Sequence, residues 1–335
     1  MKTALITGVT GQDGRHLSEL LLSKDYRIYG MVNRQREDLA IELKKEFPDV
    51  LQVKGDLADS SSLRRVVQEI QPDEVYNFGA ISFVGLSFVQ PELTANITGL
   101  GALRLLEAIR LSGLEKTRIY QASSSEMFGK VKEVPQVEGT PFHPRSPYGV
   151  AKCFAHYACV NYREAYGMHI SCGILFNHEG ERRGSEFVTR KITKSLARIK
   201  LGLQDELILG NLGAKRDWGY AGDYVEACWL MLQQEIPDDY VIATGETHTV
   251  REFLETAIDF LEISKPFDSF IKLDPKFNRP SEVDLLVGNA EKAKRVLGWT
   301  PKVHFSELIK IMIRNDLMLE ATANGIQVPH LAQLN

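Results

Sequence analysis

Long apolar runs are missing from this chain. Nowhere do 18 apolar residues follow one another, so no membrane-spanning helix is expected. The start, Met1-Lys2-Thr3-Ala4-Leu5, has only a short apolar run that ends in glycines, unlike a signal peptide, and a cytoplasmic location is expected. Cysteine is scarce. Cys153, Cys159, Cys172 and Cys228 show neither metal-ligand nor redox-pair spacing, so buried free thiols and no metal site are expected. There is no long basic run, and a net charge of −4 argues against nucleic acid as the main partner. Repeats and low-complexity linkers are also lacking. What remains, 335 residues that are 44% hydrophobic and 25% charged, is a globular chain with room for one large core or two modest ones.

Strand-like and helix-like stretches alternate at βα spacing up to Asn177, with strands near Thr3, Arg27, Leu51, Glu74, Arg118 and Ile170. This rhythm predicts an α/β protein with a Rossmann-type doubly wound parallel sheet covered on both faces. After residue 178 the rhythm breaks. Helices are expected at Phe187 to Leu201, Tyr224 to Gln234, Val250 to Leu261, Ala290 to Leu297 and Ser306 to Leu319, with short strands near Leu207 and Tyr240. We expect a nucleotide-binding domain over residues 1–177, rejoined by segments near 210–245. Residues 178–335 would form mainly a smaller α/β substrate-binding domain. The tail from Glu320 reads as irregular.

Met1 to Gly14 runs from an apolar strand straight into glycines at Gly8, Gly11 and Gly14, and the amphipathic stretch His16 to Leu22 follows. Strand, glycine loop and helix in that order form a pyrophosphate site: the glycines allow close backbone approach, and the helix N-terminus supplies free N–H groups and its dipole. The second strand, Arg27 to Val32, ends in Asn33-Arg34-Gln35-Arg36, with arginines and no acid at its tip. That favours NADP over NAD, although Glu37 and Asp38 follow closely and solvated arginines are the plain alternative. Strands expected at Leu51 to Gly55 and Glu74 to Ala80 would deliver Asp56-Leu57 and Phe78-Gly79-Ala80 to the cofactor.

The redox chemistry is expected at Ser146-Pro147-Tyr148-Gly149-Val150-Ala151-Lys152. With Ser146 as cap and Pro147 in the first turn, Tyr148 and Lys152 share one helix face. A charge about 4 Å away is worth roughly 4 kcal/mol at an effective dielectric near 20, so Lys152 would lower the phenol pKa by up to about 3 units and make Tyr148 a base near neutral pH. Such a pair also arises by chance about once in a chain of this size, as a surface helix pair. The upstream run Ser123-Ser124-Ser125-Glu126 adds a hydroxyl and a carboxylate. Arg182, Arg183, Lys191, Arg216 and Arg279 are candidates for a phosphorylated ligand, with a solvated surface as the alternative for each.

Several blocks carry a family resemblance. They include Gly8-Val-Thr-Gly-Gln-Asp-Gly14, Gln121-Ala-Ser-Ser-Ser-Glu-Met-Phe-Gly129, Pro144-Arg-Ser-Pro-Tyr-Gly-Val-Ala-Lys152 and Asn161-Tyr-Arg-Glu-Ala-Tyr-Gly167. Others are Gly173-Ile-Leu-Phe-Asn-His-Glu179, Phe187-Val-Thr-Arg-Lys-Ile192, Ala214-Lys-Arg-Asp-Trp-Gly219 and Arg279-Pro-Ser-Glu-Val-Asp284. With these the chain resembles the extended short-chain dehydrogenase/reductases and, within them, the GDP-mannose 4,6-dehydratase family. The resemblance implies that GDP-mannose loses water by an internal redox cycle with NADP, with Ser124, Glu126, Tyr148 and Lys152 as the catalytic set. It implies cofactor contacts at Gly8, Gly11, Gln12, Asp13, Gly14, Arg34, Asp56, Leu57, Ala80, Tyr148 and Lys152. For the GDP-sugar it implies Ser82, Ser87, Asn177, Val188, Lys191, Arg216, Arg279 and Glu282. A homodimer or homotetramer is implied too, with GDP-fucose or GDP-rhamnose downstream. The chain departs from the family's usual residues at Ser124 (threonine), Ile81 (glutamine) and Gln35 (arginine). A GDP-4-keto-6-deoxymannose reductase, a dehydratase of another GDP-linked sugar such as a heptose, and an NADP-sensing binding protein are the alternatives.

Overall fold

The computed structural model describes residues 1–33, 36–277, 281, 283 and 285–327. Seven strands form one sheet: β1 (Thr3–Thr7), β2 (Arg27–Val32), β3 (Leu51–Lys54), β4 (Glu74–Asn77), β5 (Arg118–Ser124), β6 (Ile170–Leu175) and β7 (Asp239–Ile242). Their order is β7-β6-β5-β4-β1-β2-β3, and every neighbouring pair is parallel. Because the chain leaves β1 toward β2 on one side and returns to β4 on the other, a crevice opens at the carboxyl ends of these strands.

Alternating side chains divide the strands between two cores. Ala4 and Ile6 of β1 pack with Leu17, Tyr120 and Tyr224, beneath helices Gln12–Leu22 and Ala221–Gln233. Leu5 faces the other way, with Val75, Ile119 and Ile170, beneath helices Ser60–Ile70, Gly101–Leu111 and Pro147–Tyr166. All six residues of β6 are buried, as a strand covered on both faces requires. A separate apolar cluster joins helices Val188–Lys200, Val250–Phe260 and Phe305–Ala323 through Leu196, Phe253 and Met312. It lies against the short parallel pair Leu207–Leu209 and Ile271–Leu273. The Val250–Phe260 helix starts with a full capping box between Thr249 and Glu252.

Several expectations need correction. The fourth strand stops at Asn77, because Phe78–Ala80 turns across the crevice rather than extending the sheet. The first helix starts at Gln12, four residues before the amphipathic pattern becomes legible. A π-helical stretch, Ala95–Leu100, precedes the Gly101–Leu111 helix, and no period of 3.6 could announce it. The chain does not become irregular at Glu320: the last helix runs to Ala323, and Glu320 pairs with Arg198 at 2.6 Å.

Candidate active site

The glycine loop folds as its spacing requires. Gly8 has φ +68°, and a Cβ on Gly14 would lie 2.5 Å from the Gly8 carbonyl oxygen. Any side chain at Gly14 would therefore wedge the loop open. The Gln12–Leu22 helix begins after Gly11 with no side-chain cap, leaving its first N–H groups to point into the crevice. A cavity of about 760 Å³ runs from this loop to the end of β5. Gly8, Gly11, Gln12, Asp13, Gly14, Ala80 and Ser82 line it, together with Ser124, Glu126, Tyr148 and Lys152.

Ser146 caps the Pro147–Tyr166 helix by accepting from the Gly149 N–H at 3.0 Å, with Pro147 in the first turn. Tyr148 and Lys152 are buried on its inner face. Glu126 lies opposite on a tight turn after β5, also buried. The helix comes so close to that turn that a Cβ on Gly149 would sit 2.7 Å from the Glu126 carbonyl oxygen.

The predicted acidification of Tyr148 by Lys152 is not what this arrangement produces. Lys152 Nζ donates to the Ala122 carbonyl at 2.6 Å and stands 5.7 Å from the centre of the tyrosine ring. Burial pushes the Tyr148 phenol up, a hydrogen bond with Ser124 pulls it down by less, and Glu126 adds to the rise. Burial also pulls Lys152 down to about 8 against the opposing influence of Asp13 and Cys159.

Two further charged residues line this cavity: His178, which the sequence reading did not single out, and Arg183, which it named among candidates for a phosphorylated ligand. His178 Nε2 lies 3.0 Å from Asp13 Oδ2, and the imidazole stacks on Tyr224 at 4.9 Å. Burial alone would raise Asp13, but the charge and hydrogen bond of His178 hold it well below the usual carboxylate range. Asp13 in turn raises His178 despite its burial. Gln12 bridges the pair, donating to Asp13 Oδ1 and to the His178 carbonyl, both at 3.1 Å. The second residue is Arg183, 2.9 Å from Glu179 and with its guanidinium carbon 3.6 Å from the centre of the Phe187 ring. Arg182 lines the cavity too, and it also pairs with Glu19 and Glu46 at 2.7 and 2.9 Å.

A second cavity of about 700 Å³ adjoins the first, and Val84, Asn177, Arg183 and Phe187 line both. Val188, Lys191, Arg216 and Trp218 extend it toward the second apolar cluster. Burial, with help from Lys276, lowers Lys191. Arg216 is buried and donates to the Val283 and Lys215 carbonyls at 2.8 Å.

Three predicted contacts are not brought to either cavity. Ser87 is fully buried and its hydroxyl donates to the Val84 carbonyl at 2.7 Å, because the Val84–Val89 helix turns that position inward. Asp56 accepts from Asn33 at 3.0 Å and from the Ala58 N–H at 2.8 Å. Leu57 packs into the core against Gly79 and Gly101. Arg34, Arg279 and Glu282 lie outside the described residues.

Cys159, Cys172 and Cys228 are buried thiols, and Cys153 is partly exposed. Cys172 meets His156 and Asp239, whose ligand-type atoms lie within 4.8 Å of one another, a grouping the cysteine spacing did not suggest. Arg163 already engages that carboxylate in a fork at 2.9 and 3.0 Å.

The family model described as GDP-mannose 4,6 dehydratase matches residues 5–312. GDP-mannose 4,6 dehydratase 1 of Arabidopsis thaliana is 53% identical over 329 residues, covering 95% of this chain and 90% of its own. The GDP-mannose 4,6 dehydratase of Dictyostelium discoideum is 50% identical, covering 97% and 98%. Among solved structures, a Thermus thermophilus UDP-glucose 4-epimerase in complex with NAD superposes with a TM-score of 0.80 at 29% identity, covering 94% of this chain and 98% of its own. On this evidence the chain belongs to the GDP-mannose 4,6-dehydratase family.

Proposed function

We propose that the chain converts GDP-mannose to GDP-4-keto-6-deoxymannose, a hydro-lyase reaction in which NADP is recycled rather than consumed. The observation that carries this reading is the buried Glu126 carboxylate lining the same cavity end as Ser124, Tyr148 and Lys152. A dehydrogenase needs only the last three, whereas removing water from C6 needs a base for the C5 hydrogen.

The residues present fit the cofactor. Gly8 and Gly14 keep clear the space that a Cβ would fill, and the uncapped helix start suits a pyrophosphate. When bound, NADP would supply a hydride acceptor for C4, a hydride donor for C6 and the positive charge of its oxidised ring. Tyr148 accepts the C4 hydroxyl proton while the Ser124 hydroxyl orients that oxygen. Lys152 would orient the nicotinamide ribose. Glu126 then removes the acidified C5 proton and protonates the departing C6 hydroxyl, which leaves as water, and C5 is reprotonated from solvent as C6 is reduced. Lys191 and Arg216 hold the GDP moiety with Asn177 and Val188, and Ser82 borders the hexose.

Two broader parts of the reading rest on surface features. Val89, Leu93 and Leu100 expose apolar side chains beside Val150, Phe154 and Tyr157 of the packed Pro147–Tyr166 helix. A second copy of the chain covers this strip, giving a homodimer that pairs further into a tetramer. No helix among the described residues is long and apolar enough to cross a membrane, and the four free thiols suit the reducing cytoplasm.

Incubation with GDP-mannose and no added reductant is expected to give a 4-keto product carrying one solvent deuterium at C5 when run in heavy water, with no net change in NADPH. Stoichiometric NADPH oxidation on a 4-keto substrate, with GDP-mannose inert, would identify a reductase and end the dehydratase reading. The pH dependence follows from Lys152. Its ammonium is present below about 8 and lost above it, so kcat/KM is expected to fall on the alkaline side through that pH. Lys152→Arg, whose guanidinium stays charged, should lack this limb whatever activity it retains. A profile flat to pH 10 in the unsubstituted enzyme would contradict the assignment.

A further inference from the structure

A row of hydrogen bonds crosses the buried sheet from the Phe78–Ala80 turn to Lys152. The Gly79 N–H donates to Thr7 Oγ1 at 3.0 Å, and the Thr7 hydroxyl donates to Asn77 Oδ1 at 2.5 Å. Asn77 Nδ2 donates to Gln121 Oε1 at 2.7 Å, and Gln121 Nε2 to the Ala122 carbonyl at 3.0 Å. That carbonyl also receives Lys152 Nζ at 2.6 Å. Thr7, Asn77 and Gln121 are register partners on β1, β4 and β5, and none is more than 3% exposed.

The direction of this row is dictated by its ends. A backbone N–H can only donate, so Thr7 must accept from Gly79 and spend its own proton on Asn77. The Asn77 amide then presents nitrogen to Gln121, and the Gln121 amide presents nitrogen to a carbonyl, which can only accept. The acceptor is open for a topological reason. Arg118 N–H donates toward the β4 side, to Asp73, and alternation puts the Ala122 carbonyl on that same edge. There β4 has already ended at Asn77, so no strand N–H meets it.

We infer that Gln121 is a positioning residue for the reaction: by sharing the Ala122 carbonyl with Lys152 it limits how firmly that carbonyl holds the ammonium, and Thr7 and Asn77 keep it in the donating orientation. Two donors on one oxygen compete, and the positive end of the Gln121 amide faces the ammonium. The row therefore ties the catalytic lysine to the loops that border the cofactor. Thr7 immediately precedes Gly8, and Gly79 N lies 2.8 Å from where a Gly8 Cβ would stand. The titratable groups acting on Lys152 are Asp13 from the first helix and Cys159 from its own, and Tyr148 lies beside it. The inference rests on the role proposed for Lys152 in the dehydration.

The test is an NMR titration of the Lys152 ammonium in the full-length, lysine-labelled protein, with Lys152→Met identifying the signal. It is read beside the alkaline limb of kcat/KM and a thermal melt. Gln121→Met keeps the shape but removes the donor, and is expected to raise the Lys152 midpoint by at least about half a pH unit, roughly threefold in its dissociation constant. Thr7→Val, at the far end of the row, should move it the same way by less, and the double variant no further than Gln121→Met alone. If Gln121→Met does not fold, Thr7→Val decides. Midpoints unchanged in the folded variants, even with lower melting temperatures, would overturn the inference and leave Gln121 a structural residue. The titration needs no turnover, so inertness of the unsubstituted enzyme toward GDP-mannose would sink the dehydratase reading without deciding this one.

Discussion

In Glu126→Gln, mixing with GDP-mannose is expected to leave reduced nicotinamide bound to the protein while release of 4-keto-6-deoxy product falls by roughly 10²- to 10⁴-fold. The amide keeps the size and packing of the buried side chain, and its backbone N–H remains bonded to Ser124 Oγ at 3.2 Å. The C4 half of the reaction therefore stays intact. What is lost is a base for C5 and an acid for the C6 hydroxyl. Absorbance of reduced nicotinamide in single-turnover mixing, together with deuterium uptake at C5, reads both halves separately. Full product formation in this variant would remove Glu126 from the chemistry.

Tyr148→Phe should fail earlier. With the phenol oxygen gone nothing accepts the C4 hydroxyl proton, so the cofactor is expected to stay oxidised and kcat to drop by about 10³-fold or more. Affinity for GDP-mannose should hold within about twofold, because in the proposed reading the GDP moiety is gripped from the second cavity. Rapid cofactor reduction in Tyr148→Phe, at the rate of the unsubstituted enzyme, would show that some other group begins the cycle. The two variants form a pair: one stops before the redox step, the other after it.

Local features of this site were readable because local chemistry decides them. Ser146 caps and Pro147 opens a helix by short-range rules, so Tyr148 and Lys152 had to share a face. Gly8 and Gly14 are demanded by the loop itself. Where the reading failed, a partner distant in the chain was in control. Lys152 turns to a carbonyl thirty residues upstream rather than to its neighbour. His178 meets Asp13 only because β6 and β1 end at the same crevice. Ser87 points inward because of the phase of a six-residue helix too short to show one. The helix that carries Glu320 continues because Arg198 and Lys194 hold that carboxylate, a tertiary pairing no propensity records.

Gly149 gives the two half-reactions a common ruler. In the proposed reaction one base takes the proton of the C4 hydroxyl and the other that of the neighbouring C5, although one rides on a helix and the other on the turn that follows a strand. Those two supports come together where a Gly149 side chain would meet the Glu126 backbone. A single added methyl there would pry the supports apart and leave each base intact but out of step with the other. In the proposed reaction, the spacing of those two bases is kept by an atom that is not there.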